Sequence, residues 1–200
     1  MSMKYLTKKE LEMLFEQIYK EKGRHRKRNI ALFEIAKYCA LRASEITHLQ
    51  LSDYNRYNKT IHCKRLKGSN SNTLKIVDAH VLKALDDYID ERSCLSIESS
   101  YLFISQKGTP ISRQRMDAMI KHYCRLTNYI PPEKSHMHVL RHTRAIELTE
   151  LEFDIDDVQY WLGHKNSENT FKYLEYTSVL RKALFNRLAQ LEQHSYENRY

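Results

Sequence analysis

Apolar residues recur at three- and four-residue intervals along most of this chain, and only one short central stretch alternates. Thr7-Lys8-Lys9-Glu10 has the spacing of a capping box, and Leu11, Leu14 and Ile18 follow at helical intervals, so a first helix is expected from Thr7. A basic cluster (Lys20, Lys22, Arg24, Arg26, Lys27, Arg28) reads as a loop, solvated or phosphate-facing. Helices are expected over 29–39, with Ile30, Leu32, Phe33 and Ile35, and over 44–50. Thr60 to Arg65 and Leu74 to Val77 are strand-like, and Lys67-Gly68-Ser69-Asn70-Ser71-Asn72 between them is rich in turn formers. Together they predict a hairpin.

Asp78 can cap a helix reaching Arg92, and Ser112 one reaching Thr127. Leu102-Phe103-Ile104 reads as a short strand and Gly108-Thr109-Pro110 as a turn. After the Pro131-Pro132 break, helices are expected over 138–151, 156–162, 168–176 and 179–191. The last of these carries Val179, Leu180, Leu184, Phe185, Leu188 and Leu191 near one stripe. That stripe suits a helix docked on another subunit or folded onto its own core. The expected class is mainly α with a small antiparallel β-sheet, without internal repeats or a linker between two large domains.

Charge narrows the function. Lys and Arg number 33 against 25 Asp and Glu, a formal net charge of +8, and a basic surface attracts polyanions. No apolar run approaches the roughly 18 residues that cross a bilayer, and the N-terminus lacks a secretory apolar segment. Cys39, Cys63, Cys94 and Cys124 form no C-x-x-C pair and read as reduced thiols, which suits the cytoplasm. The ten histidines include no H-E-x-x-H zinc motif.

Four separated signals carry candidate chemistry: Leu41-Arg42-Ala43-Ser44-Glu45-Ile46, Lys67 at the hairpin tip, His138-Val139-Leu140-Arg141-His142, and Leu162-Gly163-His164 with Tyr173 nine residues on. Two guanidinium groups can hold the non-bridging oxygens of one phosphate and stabilise charge building on it. A tyrosine hydroxyl, with its ordinary pKa near 10, becomes a nucleophile when a base takes its proton and cations favour the phenolate. Histidine suits that proton traffic, and a lysine on a mobile tip suits protonation of a leaving alkoxide. The cationic side chains do the charge work, so neither a metal nor another cofactor is expected. Singly, each signal has a plainer reading: a helix cap with a surface ion pair, a solvated lysine, satisfied structural histidines, and a core tyrosine beside Phe171 and Tyr176. The combination and its order carry the case.

These residues resemble the tyrosine recombinase, or phage integrase, family. Its first box, G-L-R-x-S-E-L, is similar to Ala40 to Ile46, its H-x-L-R-H-T to His138 to Thr143, and its L-G-H and spaced tyrosine to Leu162 to His164 and Tyr173. The resemblance covers about residues 5–178 and implies that family's catalytic-domain fold. It implies that Arg42 and Arg141 clamp the scissile phosphate and that Lys67 protonates the 5′ leaving oxygen. His138 would assist proton transfer with Tyr173, His164 would hydrogen-bond the phosphate, and Glu45 would support the site without reacting. Tyr173 would form a 3′-phosphotyrosyl link without ATP, on double-stranded DNA with inverted-repeat sites, in a homotetramer assisted by DNA-bending proteins.

Arg42 lies near the start, so a separate N-terminal DNA-clamping domain is not expected; residues 1–178 are read as the catalytic domain and 179–200 as a C-terminal helix and tail exchanged between subunits. Arg-Ala-Ser-Glu-Ile at 42–46 and Ser-Arg-Gln at 112–114 are similar to the short fimbrial-type DNA invertases. Arg144 stands where the family has an aromatic or small residue, and either faces DNA or alters helix packing. The competing readings are a type IB topoisomerase, a silent DNA-binding regulator on the same fold, and a basic RNA-binding module.

Overall fold

The computed structural model describes residues 4–66, 68–174, 185–186 and 188–189. Eight helices are described in the main body: α1 (Lys8–Tyr19), α2 (Arg26–Tyr38), α3 (Ala43–Ile46), α4 (Ala79–Ser93), α5 (Arg113–Thr127), α6 (His138–Glu150), α7 (Ile155–Leu162) and α8 (Glu168–Leu174). Strands β1 (Tyr54–Asn55), β2 (Thr60–Cys63) and β3 (Asn72–Lys75) form one antiparallel sheet in the order β1-β2-β3. The mainly helical class with a small antiparallel sheet is therefore correct.

The expected caps form. Glu10 N–H donates to Thr7 Oγ1 at 3.3 Å while Thr7 N–H donates to Glu10 Oε2 at 2.7 Å, closing the capping box. Asp78 accepts from His80 N–H, and Ser112 from Arg115 N–H. The hairpin pairs Ile61 with Leu74 and Cys63 with Asn72, so Ile61, Cys63, Leu74 and Ile76 turn inward. Strand β2 is shorter than expected, and β3 lies two residues earlier, so that Asn72 belongs to the strand and not to the turn. The short β1, without apolar alternation of its own, was not foreseen.

Helix α2 is the centre of the molecule. It packs on α4 and on α6, and Ile30, Ala31, Leu32, Phe33, Ile35 and Ala36 are buried on more than one face. Phe33 meets Tyr123 of α5 edge to face at 5.5 Å between ring centres. The basic cluster is corrected here. Arg26, Lys27 and Arg28 belong to α2 rather than a loop, and Arg28 is buried, donating to the Ile104 carbonyl at 3.0 Å. The expected helix over 44–50 shortens to Ala43–Ile46, and the strand at 102–104 reduces to an isolated bridge between Ile104 and Pro110. Arg144 serves packing: its guanidinium lies 5.2 Å from the Tyr38 ring centre and 5.0 Å from that of Trp161. The end of the helix expected over 168–176, and most of that over 179–191, lie outside the described residues. Among the described residues, no helix is long and apolar enough to cross a membrane.

Candidate active site

Two helix C-termini face each other and build the site. The last carbonyls of a helix have no partner inside it, and that end carries partial negative charge, so both attract cations. At the end of α2 the chain turns through Ala40, whose φ is +51°. At the end of α7 it turns through Gly163, φ +66°. Two buried arginines bridge these ends. Arg141 Nη1 donates to the Ala40 carbonyl at 2.7 Å and Nη2 to that of Leu162 at 2.8 Å. Arg65 Nη2 donates to the carbonyls of Cys39 at 3.0 Å and Trp161 at 2.7 Å.

Glu45 lies beneath them, 1% exposed. Its carboxylate accepts from Arg42 N–H at 2.9 Å, Arg42 Nη1 at 2.6 Å and Arg65 Nη1 at 3.2 Å, with Arg141 Nη1 at 3.9 Å. Burial pushes the Glu45 pKa up. The Arg42 backbone N–H and then the Arg65 and Arg141 cations overcome this and hold it below the usual carboxylate value. Three guanidinium groups thus share one carboxylate. The R-x-S-E pattern is not a surface ion pair. Arg141, lowered to about 10 by burial and by its neighbours Arg42 and Arg65, stays charged at neutral pH.

The remaining candidate side chains come from α6, α8 and the turn after α7. Tyr173 on α8 is 3% exposed and packs with Ala40, Ala145, Ile146, Leu148, Val158 and Leu162. Its hydroxyl stands 3.1 Å from His142 Nδ1, and its ring lies parallel to that of His164, centres 6.3 Å apart. Burial raises the Tyr173 pKa, while the Arg141 and Arg42 cations pull against it. His164 Nδ1 pairs with Thr170 Oγ1 at 2.8 Å. The imidazoles are neutral at pH 7. His164 is lowered to about 3 by burial and then by Arg141, Arg42 and Arg65, and His142 to about 3 by burial and then by His138, His136 and Arg141. His138 is lowered to about 4 by desolvation and then by Arg141 and Arg42, although its exposed edge keeps some water.

Arg42, His138, Arg141, His164 and Tyr173 are therefore brought together, joined by two residues without an expected role, His142 and Arg65. His142 had a signal: four residues after His138, it falls on the same helical face, and the two rings meet edge to face at 4.3 Å. Arg65 had a fainter one. Ile61 and Cys63 point inward, and period-two alternation carries Arg65 to the core side. Lys67 lies outside the described residues. Its hairpin is tied to the site, since Asn70 N–H donates to the Gly163 carbonyl at 2.9 Å and Asn72 Nδ2 to the Trp161 carbonyl at 3.2 Å. Among the described residues, no three His, Cys, Asp or Glu side chains cluster as metal ligands.

The sequence profile of the Phage integrase family matches residues 4–178. Type 1 fimbriae regulatory protein FimB of Escherichia coli K12 is 32% identical over 170 residues, covering 84% of this chain and 82% of that protein. A tyrosine recombinase of Agathobacter rectalis is 31% identical, covering 84% of this chain and 56% of that one. The crystal structure of XerH site-specific recombinase bound to palindromic difH substrate superposes with TM-score 0.76 at 25% identity, covering 90% of this chain and 52% of XerH. XerA recombinase gives TM-score 0.77 at 24% identity, covering 92% of this chain and 62% of XerA, and shares the fold. The chain thus spans roughly half to two-thirds of the length of these recombinases, and most of FimB.

Proposed function

The chain belongs to the phage integrase family, the tyrosine-type site-specific recombinases, and from that premise we propose that Tyr173 attacks a DNA phosphodiester to form a 3′-phosphotyrosyl link. One observation carries this reading: Tyr173 lies within the field of Arg141 and Arg42, which together with Arg65 have a single buried carboxylate between them. The positive charge left over suits a phosphate. Arg141 is held by carbonyls through one donor on each terminal nitrogen, and a guanidinium has five donors in all, so further N–H groups remain for phosphate oxygens. Such donors need no reorganisation as charge builds, which is the condition for strong transition-state stabilisation.

With the Thr170 hydroxyl donating to Nδ1, His164 carries its proton on Nε2, the form that donates to a phosphate oxygen. Lys67, on a hairpin anchored at Gly163, supplies the proton to the 5′ leaving oxygen. The energy of the broken bond is kept in the phosphotyrosyl ester, so rejoining needs no ATP. We read the substrate as double-stranded DNA with inverted-repeat sites, the working assembly as a homotetramer, residues 1–178 as the catalytic domain and the cytoplasmic nucleoid as its place. The similarity of residues 42–46 and 112–114 to the short fimbrial-type DNA invertases favours DNA inversion over integration.

Covalent trapping tests this. DNA flanking the gene is tiled as nicked duplexes, incubated with the protein and run on a denaturing gel. A protein–DNA adduct is expected on one tile and absent with Tyr173→Phe, while Arg141→Ala lowers its yield by about 10²–10³ or more. Cleavage surviving in Tyr173→Phe would remove the nucleophile assignment. DNA binding without any adduct would favour a regulator on this fold.

A further inference from the structure

Two histidines meet Tyr173, a third meets one of them, and their contacts differ. His164 is committed to Thr170 through Nδ1 and meets Tyr173 only ring to ring. His138 opens α6 at the exposed rim, and its ring meets that of His142. The tyrosine hydroxyl itself meets Nδ1 of His142, half-buried one helical turn further along.

We propose that His142 positions the Tyr173 hydroxyl and accepts its proton when the tyrosine attacks phosphorus, with His138 behind it as the route to solvent. This rests on Tyr173 being the nucleophile. As the Tyr173 Oη–P bond forms and the P–O5′ bond breaks, the Oη proton moves to His142 Nδ1, and the leaving 5′ oxygen takes a proton from a different group. The geometry requires His142 to be neutral with its proton on Nε2, leaving the Nδ1 lone pair facing the hydroxyl. The groups around it favour neutrality: His138 on the same helix, His136 just before it, Arg141 beside it, and the uncharged Tyr173 opposite. When DNA enters, its phosphate adds negative charge to this side of the site. That charge stabilises the imidazolium formed by the transfer. The base is therefore weak in the free protein and strengthened by substrate.

Two measurements test the assignment. In the first, the full chain labelled with ¹⁵N-histidine is examined by long-range ¹H–¹⁵N NMR at pH 7.5. The His142 Nδ1 signal is expected in the unprotonated range and should move in Tyr173→Phe. A protonated Nδ1, or a signal indifferent to that substitution, overturns the proposal. In the second, single-turnover cleavage is followed on the DNA tile that gives an adduct, in normal form and with sulfur in place of the bridging 5′ oxygen. A thiolate leaving group needs no acid, so the sulfur substrate rescues loss of a general acid and not loss of a base.

His142→Ala, and His142→Gln, which keeps an acceptor for the hydroxyl but no base, are both expected to cleave about 10²-fold or more slowly on either substrate. Their rates should climb tenfold per pH unit towards pH 9, as solvent takes over the deprotonation. Rescue by sulfur, or a pH-independent loss, refutes the base role. If the wild-type chain forms no adduct anywhere, the strand-cleavage reading falls, and the NMR measurement still decides whether His142 accepts from Tyr173.

Discussion

The arginine cradle and the helix that carries Tyr173 lie side by side and are held in different ways. Arg65 and Arg141 are fixed by four main-chain carbonyls from two helix ends, beneath which Glu45 is almost fully buried. Backbone carbonyls cannot change rotamer, so this cradle is set once the helices pack. Helix α8 is tied to the site, among the described residues, by two side-chain pairs, Tyr173 with His142 and Thr170 with His164. Side chains, unlike main-chain carbonyls, can change rotamer and exchange one partner for another. An enzyme that cleaves and rejoins must bind each phosphate in one geometry and then let the tyrosine approach and withdraw, and the division suits that cycle.

The sharpest way to break this comparison is to remove the charge at the centre of the cradle. Glu45→Gln leaves three arginines facing each other without a counter-ion. Breaking a buried ion pair on one side costs about 3–5 kcal/mol, and a loss of that size is expected in chemical denaturation. On the other side of the cleft, Thr170→Val removes one hydrogen bond and should cost about 1 kcal/mol. Equal losses would mean that the two regions are not held differently. Gly163→Ala comes next. A methyl group there would sit 2.6 Å from Arg65 Cγ and 2.6 Å from the Asn70 carbonyl oxygen, at a φ that L-residues rarely adopt. The backbone of the hairpin must move, so a loss of about 1–3 kcal/mol is expected. Cleavage should fall further than stability alone explains, because Arg65 and the Asn70 main chain, both packed on Gly163, border the arginine cradle. A variant as stable and active as wild type would show the hairpin anchor to be unimportant.

Much of this was legible before the coordinates, for identifiable reasons. Capping residues announced α1, α4 and α5, because a cap is a local interaction between residues three apart. The alternation of Ile61 and Cys63 announced the hairpin for the same reason. Arg42, His138, Arg141, His164 and Tyr173 could be picked out by type and order, but not their convergence, which depends on α2 and α7 ending at one place. Arg65 was passed over because a charged residue after a strand reads as solvated unless its partners are known. Besides the Glu45 and Asn72 side chains, those partners are carbonyls from residues 39, 40 and 161, which carry no side-chain signature. The inward turn of Arg28 was hidden likewise: its carbonyl partner, Ile104, is distant in sequence.

The smallest expected effect is at Ala40, and its size separates main chain from side chain in the cradle. The family pattern at this place begins with glycine, and the reason is visible here: the residue adopts φ +51° while its carbonyl faces Arg141. An L-residue in that conformation costs roughly 1–2 kcal/mol, which Ala40→Gly would relieve. Two terms oppose the gain. Glycine loses more freedom on folding, about 0.5–1 kcal/mol. The buried Ala40 methyl, part of the cluster around Tyr173, contributes about 0.8 kcal/mol more. The sum is near zero, so Ala40→Gly should unfold within about 1 kcal/mol of wild type. Cleavage should be retained as well, since the carbonyl that holds Arg141 is untouched. A loss above about 2 kcal/mol would show that methyl packing, rather than the carbonyl geometry, fixes this turn, and the cradle would then be no more rigid than the helix opposite.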